Sequence, residues 1–275
     1  MMNNLHGLNL HFFNVGNADT IGGLLPSHNT YFLVDIVNAE KIAASFSQLP
    51  NKEFTFILIT HSDFDHISGL YQLIENYGFR AKILYINYDR SPASPGSKEY
   101  SKILRRLQLW KEFCGLKIRP AYAETIISQS PMYAEILHPD YEFLGRMHSL
   151  GNQNDASIVI RLNYQNTTIL LTGDIQEKGI EEIVANCPEK IACDVLKIPH
   201  HGSYPDNGSF EKLISYANPK SAIVCCGPNS HGHPDNHVID HLMSKGISVF
   251  LTEDCSPSQD SILVAVESKG CHQVN

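Results

Sequence analysis

The sequence predicts an α/β fold, one domain over residues 1–275 with two sheets held between layers of helices. Three observations carry this. Apolar runs of strand length come first as a meander and then alternate with helical segments. That order repeats in the second half, with no interior linker and no strict repeat. Four of the apolar runs end in clusters of His and Asp, as expected where strands deliver side chains to one edge of a sheet.

Taken in order, Leu8 to Val15 alternates as a strand, and Asn29 to Ile36 forms a second, entered through the turn Leu25-Pro26-Ser27-His28. A short helix covers Ala39 to Gln48. The run Phe54-Thr55-Phe56-Ile57-Leu58-Ile59-Thr60 reads as a buried strand. Ile67, Leu70, Leu73 and Ile74 have helical spacing, closed by Gly78, and Lys82 to Asn87 returns to strand. Ser91-Pro92-Ala93-Ser94-Pro95-Gly96-Ser97 is a loop before a long amphipathic helix, Lys98 to Cys114, whose Trp110 belongs to a packed structural face. This loop and helix are candidates for shaping a substrate groove.

Strands follow near Glu124 to Ile127 and Ala134 to Leu137, and residues 141–155 read as an irregular polar loop. Ser157 to Tyr164 and Thr167 to Thr172 form a hairpin around Gln165-Asn166. Helices over Glu177 to Ala185, Phe210 to Tyr216 and His237 to Ser244 alternate with strands at Asp194 to Ile198, Ser221 to Cys226 and Val249 to Thr252. Ser261 to Val266 is the last strand.

The chain is 43% hydrophobic and 18% charged, with a net charge of −8, which is ordinary globular composition and argues against bulk-charge binding to long nucleic acid. Seven cysteines without Cys-x-x-Cys spacing suggest free, mostly buried thiols in a reducing compartment. The N-terminus has no basic, apolar leader, and no run reaches the roughly 18 apolar residues of a membrane span. The expectation is a cytoplasmic chain with no membrane partner.

His61-Ser62-Asp63-Phe64-Asp65-His66 directly follows the apolar run ending at Thr60. A helix N-cap would explain one Asp, but not two flanking imidazoles as well. Mixed imidazole and carboxylate donors in one turn suit a divalent cation. Asp174, the pair His200-His201, and His231 with His233 end three further strands.

These residues carry a resemblance. His61-x-Asp63-x-Asp65-His66 resembles the metal motif of the metallo-β-lactamase fold hydrolases. Phe12-Phe13-Asn14-Val15-Gly16-Asn17-Ala18-Asp19 and Phe32-Leu33-Val34-Asp35 are similar to the opening of the hydrolase domain of competence-type DNA-uptake channel proteins. Asn154-Asp155-Ala156-Ser157, Thr172-Gly173-Asp174-Ile175, Lys197-Ile198-Pro199-His200-His201-Gly202-Ser203 and Gly232-His233-Pro234 match that branch in order. Bacterial phosphorylcholine esterase shares several of these motifs.

The resemblance implies a four-layer αββα sandwich with one or two metals at its edge, two being expected here, Zn²⁺ or Mn²⁺. His61 and Asp63 would hold the first metal. Asp65, His66 and His200, with His201 as its rival, would hold the second, and Asp174 would bridge. Asp63 stands where His is commoner, and neither His138 nor His148 sits in a third-ligand motif. Asp155 is an alternative ligand there, although its Asn-rich turn accounts for it equally well. Asp19 would orient a ligand histidine. Lys197 is expected to pack along its strand or pair with a carboxylate.

The implied activity is phosphodiester or nucleic-acid hydrolysis by a metal-bound hydroxide, the pKa of the water being lowered to roughly 7. Asp65 would accept the hydroxide's hydrogen bond, His233 would act as general acid, and Ser203 would bind phosphate. Substrates range from nucleic acid to nucleotide. Other readings are hydrolysis of a thioester, lactone or amide, or a non-catalytic metal-binding subunit with a protein partner in a multi-gene, possible defence, system.

Overall fold

The computed structural model describes residues 7–87, 97–128, 130–150, 152–256, 259–267 and 272–274. The chain opens with a meander, β1 (Gly7–Phe13), β2 (Ile21–Leu25) and β3 (Thr30–Val34). Helix α1 (Ala39–Ser45) leads to β4 (Glu53–Ile59). Then come α2 (Phe64–Ile67), α3 (Leu70–Glu75), β5 (Arg80–Ile86), α4 (Ser97–Phe113) and β6 (Lys117–Arg119).

A second meander follows, β7 (Ile126–Ser128), β8 (Met132–His138), α5 (Tyr141–Leu150), β9 (Val159–Tyr164) and β10 (Thr167–Leu171). It gives way to α6 (Glu177–Asn186), α7 (Pro188–Ile191), β11 (Val195–Lys197), α8 (Ser209–Ala217), β12 (Ser221–Val224), α9 (Asn236–Ser244) and β13 (Ser248–Leu251). Strands β14 (Ser261–Glu267) and β15 (His272–Val274) return to the first sheet.

The first sheet runs β15-β14-β1-β2-β3-β4-β5-β6 and the second β13-β12-β11-β10-β9-β8-β7. Each is antiparallel where the meander lies and parallel where helices cross over, from β3 to β6 and from β10 to β13. Three apolar layers fill the spaces. Leu10, Phe12, Phe56 and Leu58 of the first sheet meet Ile136, Ile160, Ile169 and Ile223 of the second. Phe13, Phe54, Ile57 and Ile59 face α1, α3 and α4. Leu170, Leu196 and Val224 face α6, α8 and α9. The result is the αββα arrangement. Strand β4 is buried on both faces, so its sequence is a continuous apolar run.

Several expectations need correction. Residues 141–150 are helical, with Phe143, Leu144 and Met147 forming a buried face against Ala156. Asp140 caps this helix, its carboxylate accepting from the Phe143 amide at 2.6 Å. The helix expected across residues 67–77 is two, because the Gly69 amide leaves the helical ladder to bond the Ile36 carbonyl at 2.8 Å. Strand β2 was not expected. Its Gly23 lies against the Phe32 ring, where a Cβ would sit 2.1 Å from a ring carbon. Only Cys225 and Cys226 of the described cysteines are fully buried, and the other four are half-buried. Trp110 is buried on α4 as expected, its indole N–H donating to Glu75 of α3 at 2.7 Å. The loop expected at Ser91–Ser97 lies, up to Gly96, outside the described residues.

Candidate metal centre

The parallel strands of both sheets end at one edge, and the polar clusters meet there. The turn after β4 supplies His61 through His66, the end of β10 supplies Asp174, and the end of β11 supplies His200 and His201. The loops after β1 and β3 add Asp19 and Asp35.

His66 is the best-anchored member. Its Nδ1 lies 2.7 Å from Asp35 Oδ2, and Asp35 is fixed by the Thr60 amide and hydroxyl, each at 2.7 Å. A carboxylate on Nδ1 sets the tautomer so that the Nε2 lone pair faces outward. That Nε2 is 3.2 Å from Asp174 Oδ2, and the His61 and His66 rings are 4.1 Å apart. The buried His201 has its Nδ1 2.8 Å from the Cys225 carbonyl, to which it donates. Its Nε2 is 3.3 Å from Asp174 Oδ2 and 3.6 Å from Asp65 Oδ2.

The Nε2 atoms of His61, His66 and His201 are all buried without a hydrogen-bond partner. Such atoms cost free energy unless a ligand satisfies them. Ligand atoms of His61, His66 and Asp174 lie within 4.8 Å of one another, as do those of Asp65, His66 and His201. This imidazole and carboxylate set fits a divalent transition metal. Asp63 stands at the rim, its Oδ2 3.7 Å from His61 Nε2.

Charge balance within the cluster is tight. Burial works against the Asp174 charge, but His201, His66 and Lys197 outweigh it and hold the carboxyl well below its usual value. Burial likewise opposes a charged His201, yet Asp174 and Asp65 push its pKa up to about 10. Burial and the neighbouring His66 drive His61 far down. The completely buried Lys197 pairs with Asp19, donates to the Gly173 carbonyl at 2.8 Å and lies 3.3 Å from Asp174 Oδ1. It thus pairs with carboxylates, as its sequence position allowed. A cation bound at the cluster would compete with the protons now held by the imidazoles.

The two adjacent histidines sit differently. Both have left-handed backbone, at φ +46° and +53°, and this tight turn separates their surroundings. His200 Nε2 is 4.0 Å from Asp174 Oδ2, its Nδ1 is 2.8 Å from Gln176 Nε2, and its side chain is partly open to solvent. Of the pair, His201 rather than the expected His200 lies nearer the carboxylates of Asp174 and Asp65. The turn ends at Gly202, where a Cβ would approach Pro234 to 2.6 Å, so the His233 loop can close against it. The His233 ring is 5.5 Å from His200 and 5.9 Å from His231. Burial lowers the pKa of both His200 and His233.

Asp155 is elsewhere, accepting from the Gly179 amide at 2.9 Å at the start of α6. His138 is also remote, its Nε2 donating to the Asp155 carbonyl at 2.7 Å. Asp19 bonds Lys197 and lies 3.6 Å from His201 Nδ1. Sequence reasoning gave no role to Asp35 or Gln176. An Asp ending the apolar run Phe32-Leu33-Val34 was the available signal for the first, and the second had none.

Comparison with known proteins agrees with this architecture. The family model described as the metallo-beta-lactamase superfamily matches residues 24–227. ComE operon protein 3 of Bacillus subtilis is 26% identical over 203 residues, covering 74% of this chain and 24% of that protein. Competence protein ComA of Neisseria gonorrhoeae is 28% identical over 116 residues, 42% of this chain and 16% of that one. The chain therefore spans a quarter or less of these relatives. Among solved structures, the metallo-beta-lactamase fold protein YhfI from Bacillus subtilis superposes with a TM-score of 0.57 at 13% identity, over 94% of this chain and 98% of that one. A diphosphatase from the PhnP family gives 0.53 at 12% identity, over 97% and 100%. With two facing sheets, a strand-end His/Asp cluster and a family match across most of its length, this chain belongs to the metallo-β-lactamase superfamily.

Proposed function

We propose that this chain hydrolyses phosphodiester bonds, in a nucleic acid or nucleotide, at a centre holding Zn²⁺ or Mn²⁺. The observation that carries the proposal is the convergence, with Asp65 and Asp174, of three Nε2 atoms that make no hydrogen bond, beside the partly open pair His200 and His233. The motif resemblance to competence-type DNA-uptake proteins, with competence protein ComA among the relatives, favours a nucleic-acid substrate over other esters.

His61 and Asp63 are assigned to a first ion, and Asp65, His66 and His201 to a second, with Asp174 shared. Bound divalent cations supply Lewis acidity to a phosphoryl oxygen and acidify a coordinated water. Asp65, with 41% of its side chain exposed, would accept a hydrogen bond from that water, while Asp35 keeps the His66 ring from turning. His200 and His233 are held uncharged by burial in the free site, so they offer N–H donors to an arriving phosphate. The anionic phosphate would raise the basicity of His233, which then takes a proton from solvent as substrate binds and passes it to the departing oxygen. Ser203, two residues after His201, would add a hydroxyl donor.

The test pairs metal analysis with turnover. Purified protein should carry Zn or Mn and cleave bis(p-nitrophenyl) phosphate and a single-stranded oligonucleotide. Asp174→Ala should abolish both cleavages. Metal-loaded protein inactive on every phosphodiester tried, with activity on a thioester or lactone instead, would sink the proposal.

A further inference from the structure

A second group of metal-type donors lies outside this centre, where α8 meets α9. His237 and His241 are four residues apart on α9, so their side chains emerge on one face, with Cβ atoms about 5–6 Å apart. Glu211, on α8, faces them. Its Oε1 is 3.2 Å from His237 Nε2 and accepts from the Tyr204 hydroxyl at 2.8 Å. Its other oxygen, Oε2, is buried with no hydrogen-bond partner, and so is Nε2 of His241. His241 is near enough that its charge acts on the Glu211 carboxyl, and its ring packs against Phe210 at 5.8 Å. The Tyr204 ring covers His237 at 4.2 Å.

Two buried, unsatisfied atoms of complementary type beside a third donor call for a bound group that serves both. A water could bridge the acid and the base, but it would leave the helical His pair unexplained. Two histidines at i and i+4 with a carboxylate from a neighbouring element form a recognised donor set for zinc. We propose that Glu211, His237 and His241 bind a further divalent transition-metal cation, of the Zn²⁺ class; their donor atoms are not all within 4.8 Å of one another in the free protein, so binding draws the exposed His237 and its neighbours inward. The Tyr204 hydroxyl or water takes the remaining position. The ion would tie α8 to α9, and α9 begins at Asn236, three residues after His233. It would therefore also steady the loop at the mouth of the first centre.

The proposal is tested by metal stoichiometry. Chelator-stripped protein is dialysed to equilibrium against Zn²⁺, and bound metal per chain is compared between wild type and the His237→Asn/His241→Asn double variant. One ion fewer in the variant is expected, with an unchanged circular dichroism spectrum. Equal stoichiometry would overturn the proposal. Should the double variant lose its fold, Glu211→Gln serves instead. It keeps the shape of the side chain and is expected to weaken Zn²⁺ binding at this site at least tenfold, and unaltered binding would again overturn the idea. Neither readout depends on activity, so failure here leaves the phosphodiesterase proposal untouched, and the reverse also holds.

Discussion

His200 and His201 are neighbours in sequence with opposite surroundings, and the distinction lies in two backbone torsions. Position directly after a strand made His200 the natural choice as ligand. Left-handed torsions at two consecutive non-glycine residues leave no compositional mark, so the turn that brings His201 against Asp65 and Asp174 was not legible. The two roles predict different failures. His201→Ala should lower bound metal by about one ion per chain, measured by elemental analysis. His200→Ala should keep its metal and lose roughly 10²–10⁴ in kcat, the range of a lost acid–base or orienting group. Asp35 makes a third case. Replacing it with Asn should weaken metal affinity about 10–100-fold by freeing the His66 ring, which a chelator competition would show.

At the scale of elements, legibility followed burial. Strand β4 could be read because both of its faces are packed, and the ligand turn inherits its position from it. Strand β2 escaped because its glycines, Gly23 under the Phe32 ring and Gly22 under the Phe46 ring, look like loop residues. Strand β6, Lys117-Ile118-Arg119, alternates but is only three residues long, too short for the pattern to register. Helix α5 was hidden because polar residues surround its short apolar face. That face is energetically real. Met147→Ala should cost about 2–4 kcal/mol and Asp140→Ala about 1 kcal/mol, both read from urea unfolding. An α5 that is only a loop would show neither.

For the whole molecule, buried histidine outside the metal centre makes stability depend on pH. Burial pushes His138 down to about 4, against the opposing influence of the Asp155 carbonyl and Asp140. The folded chain therefore keeps His138 neutral, while the unfolded chain takes up a proton below about 6.5. Stability from this group is complete above about pH 6.5 and is lost as pH falls toward 4, by up to about 3 kcal/mol. His138→Gln should flatten that slope. Equal loss between pH 7 and 4.5 in wild type and variant, by denaturant unfolding, would show that other groups are responsible.

The first sheet's β4 turn contributes His61, Asp63, Asp65 and His66, and the second sheet contributes Asp174 and His201. Neither sheet owns a complete set. A cation here is thus a clasp across the seam between the two halves of the chain. Prying the layers apart would require breaking coordination first, and free metal at a hundred times its dissociation constant would resist that opening by about 2.7 kcal/mol. In hydrogen exchange, amides on both sides of the seam should slow together when the clasp closes, although they lie more than a hundred residues apart in sequence.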